Sequence, residues 1–457
     1  MHYQFEETLS ARDSKRHLPH PFLVPANSGQ IDLQLHFAPA KVGEIQNMLT
    51  LTLFDAQGFR GAGHRGGNQH VVRITPNVAT PGYLAGALPD GEWIAQIDTH
   101  MIMPGEPCHY RLEITVTPAA AMQPEDRQVQ PIRPTPQFTP QGAGWVRGDL
   151  HSHTNHSDAD DRTVAELIQQ ARAYKLDFIF LTDHNTTSPL AEMYAAATPD
   201  LLTLGGLELT TFWGHALCLG TRDWVDWRVR AGTGEMGRIA SATYAKDQVF
   251  IIAHPCAVGD PICTGCKWVY LDMMPGTSQV VEIWNGPWAG DSNNEQALAL
   301  WYGWLNQGLR LVATAGTDTH SNQDYARQPG FNHIYVTEFS EQGILRALRA
   351  GHLYLSVGPR LALTASSANA EAVMMGDLFT GDVAVCQTTW RDCPADAQVR
   401  VIADGKPLLT WAANGTGQEE WTLIAEQVHW SLVEVRNVKG ELLAMTNPIF
   451  LRSPHVS

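Results

Sequence analysis

Between residues 28 and 117 apolar and polar positions alternate over short runs, QIDLQLHF, MLTLTLF, EWIAQID and YRLEITVT, parted by turn-rich pieces such as DAQGFRGAGHRGGN and NVATPGY. Alternation at this spacing predicts an antiparallel β-sandwich or barrel. The pattern stops at Pro118. Six prolines fall between Pro118 and Pro140, where neither a helix nor a central strand is expected. Beyond them, continuous apolar runs alternate with helical patterns. TVAELIQQARAYK places Val164, Leu167, Ile168 and Ala171 on one helical face, with Thr163 and Glu166 as a capping box. The runs DFIFL, LLTLGGLEL, QVFIIAH, SQVVEIWN and LRLVATAG read as strands, and NEQALALWYGWLNQG and EQGILRALRAG as helices. Such alternation predicts an α/β fold, a parallel sheet covered by helices, open or closed into a barrel. From about 358 short strands return in RLALTA, QVRVIAD and WSLVEVRN. The expected division is a β-sandwich-like domain over 1–118, a proline-rich linker over 119–143, an α/β domain over 144–357 and a small β domain over 358–457.

Composition limits what these domains do. The 457 residues are 44% hydrophobic and 17% charged, enough apolar material for a sizeable core. The net charge of -16 is spread along the chain and offers no footprint for a phosphate backbone, so nucleic acid is not an expected partner. The first thirty residues lack a basic start followed by an apolar run, and no later segment reads as a membrane span. Seven cysteines, an odd number scattered over a large chain, fit reduced thiols better than a disulfide framework. A cytoplasmic location is expected.

The chemistry concentrates in GDLHSHTNHSDADD, residues 148–161, with three histidines and four aspartates in fourteen positions. Four more histidines, His184, His215, His254 and His320, follow before residue 321, most of them at the ends of apolar runs such as FIFLTDH, VFIIAHP and LVATAGTDTH. Glu208 interrupts LGGLEL. A lone histidine at a strand end is commonly structural, and His-x-His is frequent on edge strands. Repeated at several strand ends with acids beside them, however, these residues meet on the one face where the carboxyl ends of parallel strands converge. Imidazole and carboxylate without thiolate suit Zn, Mn or Fe, and more than four such ligands point to more than one ion.

In order along the chain, DLHSHT, LTDHN, GLEL, AHP and GTDTH resemble the successive motifs of the PHP (polymerase and histidinol phosphatase) superfamily of metal-dependent hydrolases. The resemblance implies a distorted (β/α)7 barrel with a trinuclear centre. Carried over residue by residue, His151, His153, Glu208 and Asp318 would hold one ion. Glu208 would bridge to a second held by His215 and His254, and Asp158, His184 and His320 would hold a third. GYLAGALPDGEW, GWVRGDLHSHTNHSD and RAGHLYLSVGPRLALT extend the likeness to the carbaryl-hydrolase-like (CehA/McbA-type) branch. Ala159 and His352 depart from that branch's usual glycine and arginine.

Clustered divalent cations make hydroxide available from a bridging water at neutral pH and polarise the group attacked. Hydrolysis of a small-molecule phosphate ester is the leading expectation, because three cations can neutralise non-bridging oxygens and leaving group together. A carbamate or carboxylic ester hydrolase is the runner-up, and a noncatalytic glycan- or partner-binding protein the third reading. His156 is a candidate proton donor or an anchor for Asp158. Glu282 and Asn285, at another strand end, face either the pocket or an ordinary cap or turn. Arg327 and Arg360 are candidates for binding an anionic substrate. Cys263 and Cys266, with Cys256 upstream, read as loop packing more than as a zinc site. Trp213, Trp268, Trp284 and Trp288 are core residues or the floor of an apolar pocket.

Overall fold

The alternating N-terminal runs form two four-stranded antiparallel sheets in the computed structural model, which describes residues 1–121, 141–159, 162–367 and 370–454. Most of the expected linker, 122–140, lies outside the described residues. One sheet is ordered His2–Leu9, Cys108–Pro118, Ser28–Ala38, Gln69–Ile74; the other Arg16–Val24, Gly91–Met101, Met48–Asp55, Gly58–Gly63. Successive strand side chains point to opposite faces, so alternation becomes one buried face per sheet. Ile31, Leu33, Leu35 and Phe37 of one sheet share a core with Leu49, Leu51, Leu53 and Trp93 of the other. A slip of one residue in register would turn that face to water.

The continuous apolar runs lie side by side in a large mixed sheet. From one edge its order is Val312–Gly316, Val280–Asn285, Val249–Ile252, His215–Leu219, Leu202–Thr210, Phe178–Leu181, Gly144–Asp149, Phe331–Val336 and Leu353–Ser356. The described residues hold many strands and five α-helices, and strands do not strictly alternate with helices as in a (β/α)7 barrel. His215–Leu219 runs antiparallel to both neighbours, and Phe331–Val336 antiparallel to Gly144–Asp149. The first departure has a simple cause: the turn at 211–214 is far too short for the crossover that parallel strands need. Val164–Ala173 starts at the expected capping box, with the Thr163 side chain accepting from the Glu166 N–H, and buries Val164, Leu167, Ile168 and Ala171.

The edge strand Val312–Gly316 is completed by two asparagine side chains. Asn332 donates to Ala315 O at 2.6 Å and accepts from Ala315 N at 3.0 Å. Asn447 donates to Ala313 O at 3.0 Å and to Leu353 O at 3.1 Å, and accepts from Ala313 N at 2.8 Å. Each amide imitates a neighbouring peptide group, so these buried backbone groups are paired without a strand. The C-terminal strands Leu442–Thr446, Trp430–Arg436, Gln398–Ala403 and Lys406–Ala412 continue the large sheet from Leu353–Ser356. A further four-stranded sheet shares their core through Leu363, Trp390 and Trp421. No helix among the described residues is long and apolar enough to cross a membrane.

Candidate metal centre

At the ends of the central strands the chain brings all nine expected ligands together. His151 and His153 follow Gly144–Asp149, His184 follows Phe178–Leu181, and Glu208 lies near the end of Leu202–Thr210. His215 opens the antiparallel strand, His254 follows Val249–Ile252, and Asp318 and His320 follow Val312–Gly316. Parallel bridges between His184 and Glu208 and between Ser152 and Thr319 hold neighbouring strand ends in step.

Glu208, fully buried, is the hub. Its Oε2 lies 3.2 Å from His151 Nε2 and 3.4 Å from His153 Nε2, and its Oε1 lies 2.9 Å from His215 Nδ1 and 3.2 Å from His254 Nε2. Asp318 Oδ1 stands 3.3 Å from His151 Nε2 and 3.0 Å from His153 Nε2. Asp158 reaches His184 Nε2 at 3.4 Å and His320 Nε2 at 3.1 Å. Three groups offer ligand atoms all within 4.8 Å of one another: His151, His153, Glu208 and Asp318; His153, Asp158, His184 and His320; and His184, Glu208 and His215. His153 and His184 thus each stand between two groups.

Glu208 Oε1 is bonded by His215 Nδ1 and His254 Nε2, while other donor atoms converge without bonding one another. His151 Nε2, His153 Nε2 and Glu208 Oε2 are buried and have no hydrogen-bond partner among the described residues, although Glu208 Oε2 lies 3.2 and 3.4 Å from the two imidazole nitrogens. Buried polar atoms are rarely left so, and several converging on one spot are what a cation satisfies. The set is nitrogen and oxygen throughout, which fits Mn, Zn or Fe. Burial pushes the Glu208 carboxyl up, but His184, His151 and His215 outweigh it and hold the group well below its ordinary range.

A second layer fixes these donors. Glu282, 1% exposed, accepts from or shares a proton with His151 Nδ1 at 3.0 Å. Asn285 donates to Glu282 Oε1 at 2.8 Å and to Asp318 Oδ2 at 3.2 Å, and so ties the partner of His151 to the ligand Asp318; it is not among the residues lining the cavity. Asp183 gathers the loop after His153 by accepting from Thr154 N, Thr154 Oγ1 and Ser157 Oγ, while burial pushes its carboxyl up to about 6. Asn185 brackets Thr210 through both its backbone groups, and Thr210 Oγ1 meets His184 Nδ1. His254 and Asp318 have φ of 28° and 50°, left-handed backbone that non-glycine residues adopt at a cost and that clusters where function demands it. Asp183 and Thr210 were not singled out in the sequence, where each is one polar residue beside a proposed ligand.

A cavity of about 480 Å³ opens beside the cluster, lined on one side by Asp158, His184, Glu208, His215, His254, Asp318 and His320. The N-terminal sheets form another side. His64, 8% exposed, lies with its ring 4.6 Å from that of His184, and its Nδ1 is buried without a partner among the described residues. The sequence did not single it out, since it belongs to a separate sheet. His156 does not line the cavity: its Nδ1 bonds Ser188 Oγ at 2.7 Å and reaches Gly82 N at 3.4 Å, so it pins the N-terminal sheets to the site loop. Arg327 is 67% exposed beside Asp324, and Arg360, 71% exposed, pairs with Asp392 on a different cavity; neither meets the cluster. Trp268, Trp284 and Trp288 are core residues, and Trp213 lies under Lys15, so none floors the cavity. Cys263 and Cys266 are joined as a disulfide at the cavity wall, where reduced thiols were expected, and Cys266 O holds His254 Nδ1 at 3.1 Å. Cys256 is a free, half-buried thiol.

No family model matches the chain, and comparison with curated proteins finds no match. Among solved structures it is similar to a two-domain protein from Bacteroides vulgatus containing a predicted PHP-like metal-dependent phosphoesterase, at 14% identity over 70% of this chain and 100% of that one, with a TM-score of 0.37. A candidate metal-dependent phosphoesterase from Bifidobacterium adolescentis is similar at 16% identity over 38% of this chain and 87% of that one, with a TM-score of 0.26.

Proposed function

We propose that this chain is a metal-dependent phosphoesterase acting on a small molecule, of the PHP superfamily and its carbaryl-hydrolase-like branch, with its site strands arranged as a distorted barrel. The observation that carries the reading is the set of buried, unpartnered nitrogen and oxygen atoms converging around Glu208. In this reading His151, His153, Glu208 and Asp318 hold one cation; Glu208 with His215 and His254 holds a second; Asp158, His184 and His320 hold a third. About two to three ions of Mn, Zn or Fe are expected per chain. When bound, such ions acidify water and polarise the group under attack.

The chain's own residues keep this arrangement ready. Glu282 orients His151, and Asn285 keeps Asp318 aimed at the same point, so donor positions are set before substrate arrives. Cys266 O fixes the His254 ring. Strand ends supply a rigid frame, which favours groups held ready over groups that must reorganise during reaction. A second reading, a carbamate or carboxylic ester hydrolase, draws on one observation: none of the described residues lining the cavity is Lys or Arg. The test is a screen of metal-reconstituted protein, its metal content measured, against phosphomonoesters, phosphodiesters, aryl esters and carbamates. Phosphoester turnover is expected. Turnover of carbamates or aryl esters alone would replace the first reading by the second.

A further inference from the structure

The cavity beside the cluster has two unlike sides. One carries the carboxylates and imidazoles already described. The other comes from the N-terminal sheets and the loop at 261–264, and its side chains include Ile45, Met48, Met101, Pro261 and Ile262. Met48 and Met101 are register partners on adjacent antiparallel strands, so their side chains are cross-strand neighbours on one face. Ile45 stands next to them in the hairpin formed by Lys41–Val42 and Ile45–Gln46. Ile262 faces them from the other chain segment with 69% of its surface exposed. Apolar surface left in contact with water is unfavourable until something apolar covers it, and methionine side chains adapt their shape to what does.

This wall is held firmly against the centre. Lys15 pairs with Asp260 at 2.6 Å, next to the loop that carries Ile262. His17 stacks on Phe212 with ring centroids 4.9 Å apart, Phe59 stacks on Trp224 at 4.5 Å, and Thr186 Oγ1 donates to Gly82 O at 2.7 Å. The cavity's size is that of ordinary small-molecule sites, and it leaves room for a ring beside the cluster. Its rim adds Glu44, a further carboxylate, and its described lining includes no Lys or Arg. A small polyanion would find no Lys or Arg side chain here, and would depend on cations held by the cluster and on neutral donors such as Asn47 and Thr264.

We infer that the N-terminal sheets and the 261–264 loop form a subsite for an apolar group of the substrate, which is a neutral or singly charged ester bearing an aryl or alkyl substituent. The inference rests on the metal-dependent hydrolase reading and narrows its substrate class. It assigns the N-terminal sheets a share in specificity: they build the half of the site that chooses the substrate, while the central strands build the half that attacks it.

The test uses the full chain loaded with Mn or Zn, with bound metal measured by elemental analysis. Calorimetry compares monomethyl phenylphosphonate with monomethyl methylphosphonate, two singly charged, non-hydrolysed probes that differ in the apolar group alone. The phenyl compound is expected to bind tighter by about tenfold or more, the effect of burying one aromatic ring. In Ile45→Asp and Ile262→Asp, changes on two separate segments at positions that are half-buried and exposed, the two affinities are expected to converge. Equal affinities in the loaded wild-type protein overturn the subsite, as does a phenyl preference that survives both substitutions in variants with unchanged melting temperature. A chain that takes up no metal and binds neither probe overturns the functional reading and the subsite together. A loaded chain that keeps the phenyl preference but hydrolyses no ester overturns the functional reading alone.

Discussion

Glutamine at position 208 would keep the side chain's shape and remove the charge that several imidazoles surround. Because Oε2 faces His151 and His153 while Oε1 faces His215 and His254, Glu208→Gln is expected to weaken two cation positions at once. Of the three donor groups His320 belongs only to the one around Asp158, so His320→Asn should release one ion. Elemental analysis after dialysis checks this: wild-type protein should retain about two to three equivalents, His320→Asn about one fewer, and Glu208→Gln about one or none. Equal losses in the two variants would refute the hub. At this scale the sequence was informative for a definite reason. Most of the nine residues stand at or just past ends of apolar runs, and strand ends meet wherever such runs share a sheet. Facing is another matter. Arg327 and Arg360 also stand beside such runs but turn to solvent, and Asn285 turns to carboxylates, because a position at a strand end says nothing about which way the side chain leaves the backbone. His64 was illegible for a third reason: nothing in its local sequence marks a contact made through another sheet.

Among the strands, the edge Val312–Gly316 passes very close to the site. A Cβ at Gly316 would fall 2.1 Å from Glu282 Oε2 and 2.6 Å from His151 Cβ, and Glu282 is buried on the neighbouring strand with nowhere to swing. Gly316→Ala is therefore expected to displace the pair, to lower stability by about 1–3 kcal/mol in urea unfolding, and to lower metal affinity together with it. Retention of full metal affinity would show that the strand can shift freely. Strand Phe331–Val336 carries a different liability. His333 stacks on Tyr354 with ring centroids 4.5 Å apart, and burial, aided by Arg147 and Arg360, holds its pKa down to about 3. As pH falls from the ordinary histidine value of about 6.5 towards 3, the unfolded chain gains a proton that the folded chain refuses, so stability declines through that window. His333→Phe should make the decline between pH 7 and 5 shallower by about 2 kcal/mol at most, measured by urea unfolding of both proteins at each pH. Identical slopes would show that His333 is not responsible. Strand positions were readable because long apolar runs bounded by polar residues have few alternatives. Strand direction was not, since a run such as HALCL looks the same either way. The short turn before it held the answer.

Across the whole molecule, the donors that meet at the site lie between His151 and His320, so cations held there would tie together strands far apart in sequence. Ions that bind the folded chain and not the unfolded one shift the equilibrium by mass action. Removing them with a chelator is expected to lower the melting temperature by about 5 °C or more, and Mn or Zn should restore it in calorimetry; an unchanged melting temperature would mean that no stabilising ion had been bound. The asparagine seam has a consequence for how the protein comes into being. A ribosome making this chain exposes every donor of the site once it has passed His320, yet Ala313 on the strand leading to Asp318 still lacks the amide of Asn447. Until that amide emerges, the peptide N–H and C=O of Ala313 must either stay wet or be buried unpaired, at about 1–3 kcal/mol for each group. The nascent chain therefore carries every proposed ligand while the strand leading to Asp318 still lacks part of its pairing, and a metal centre built there would be expected to close only after Asn447 has docked.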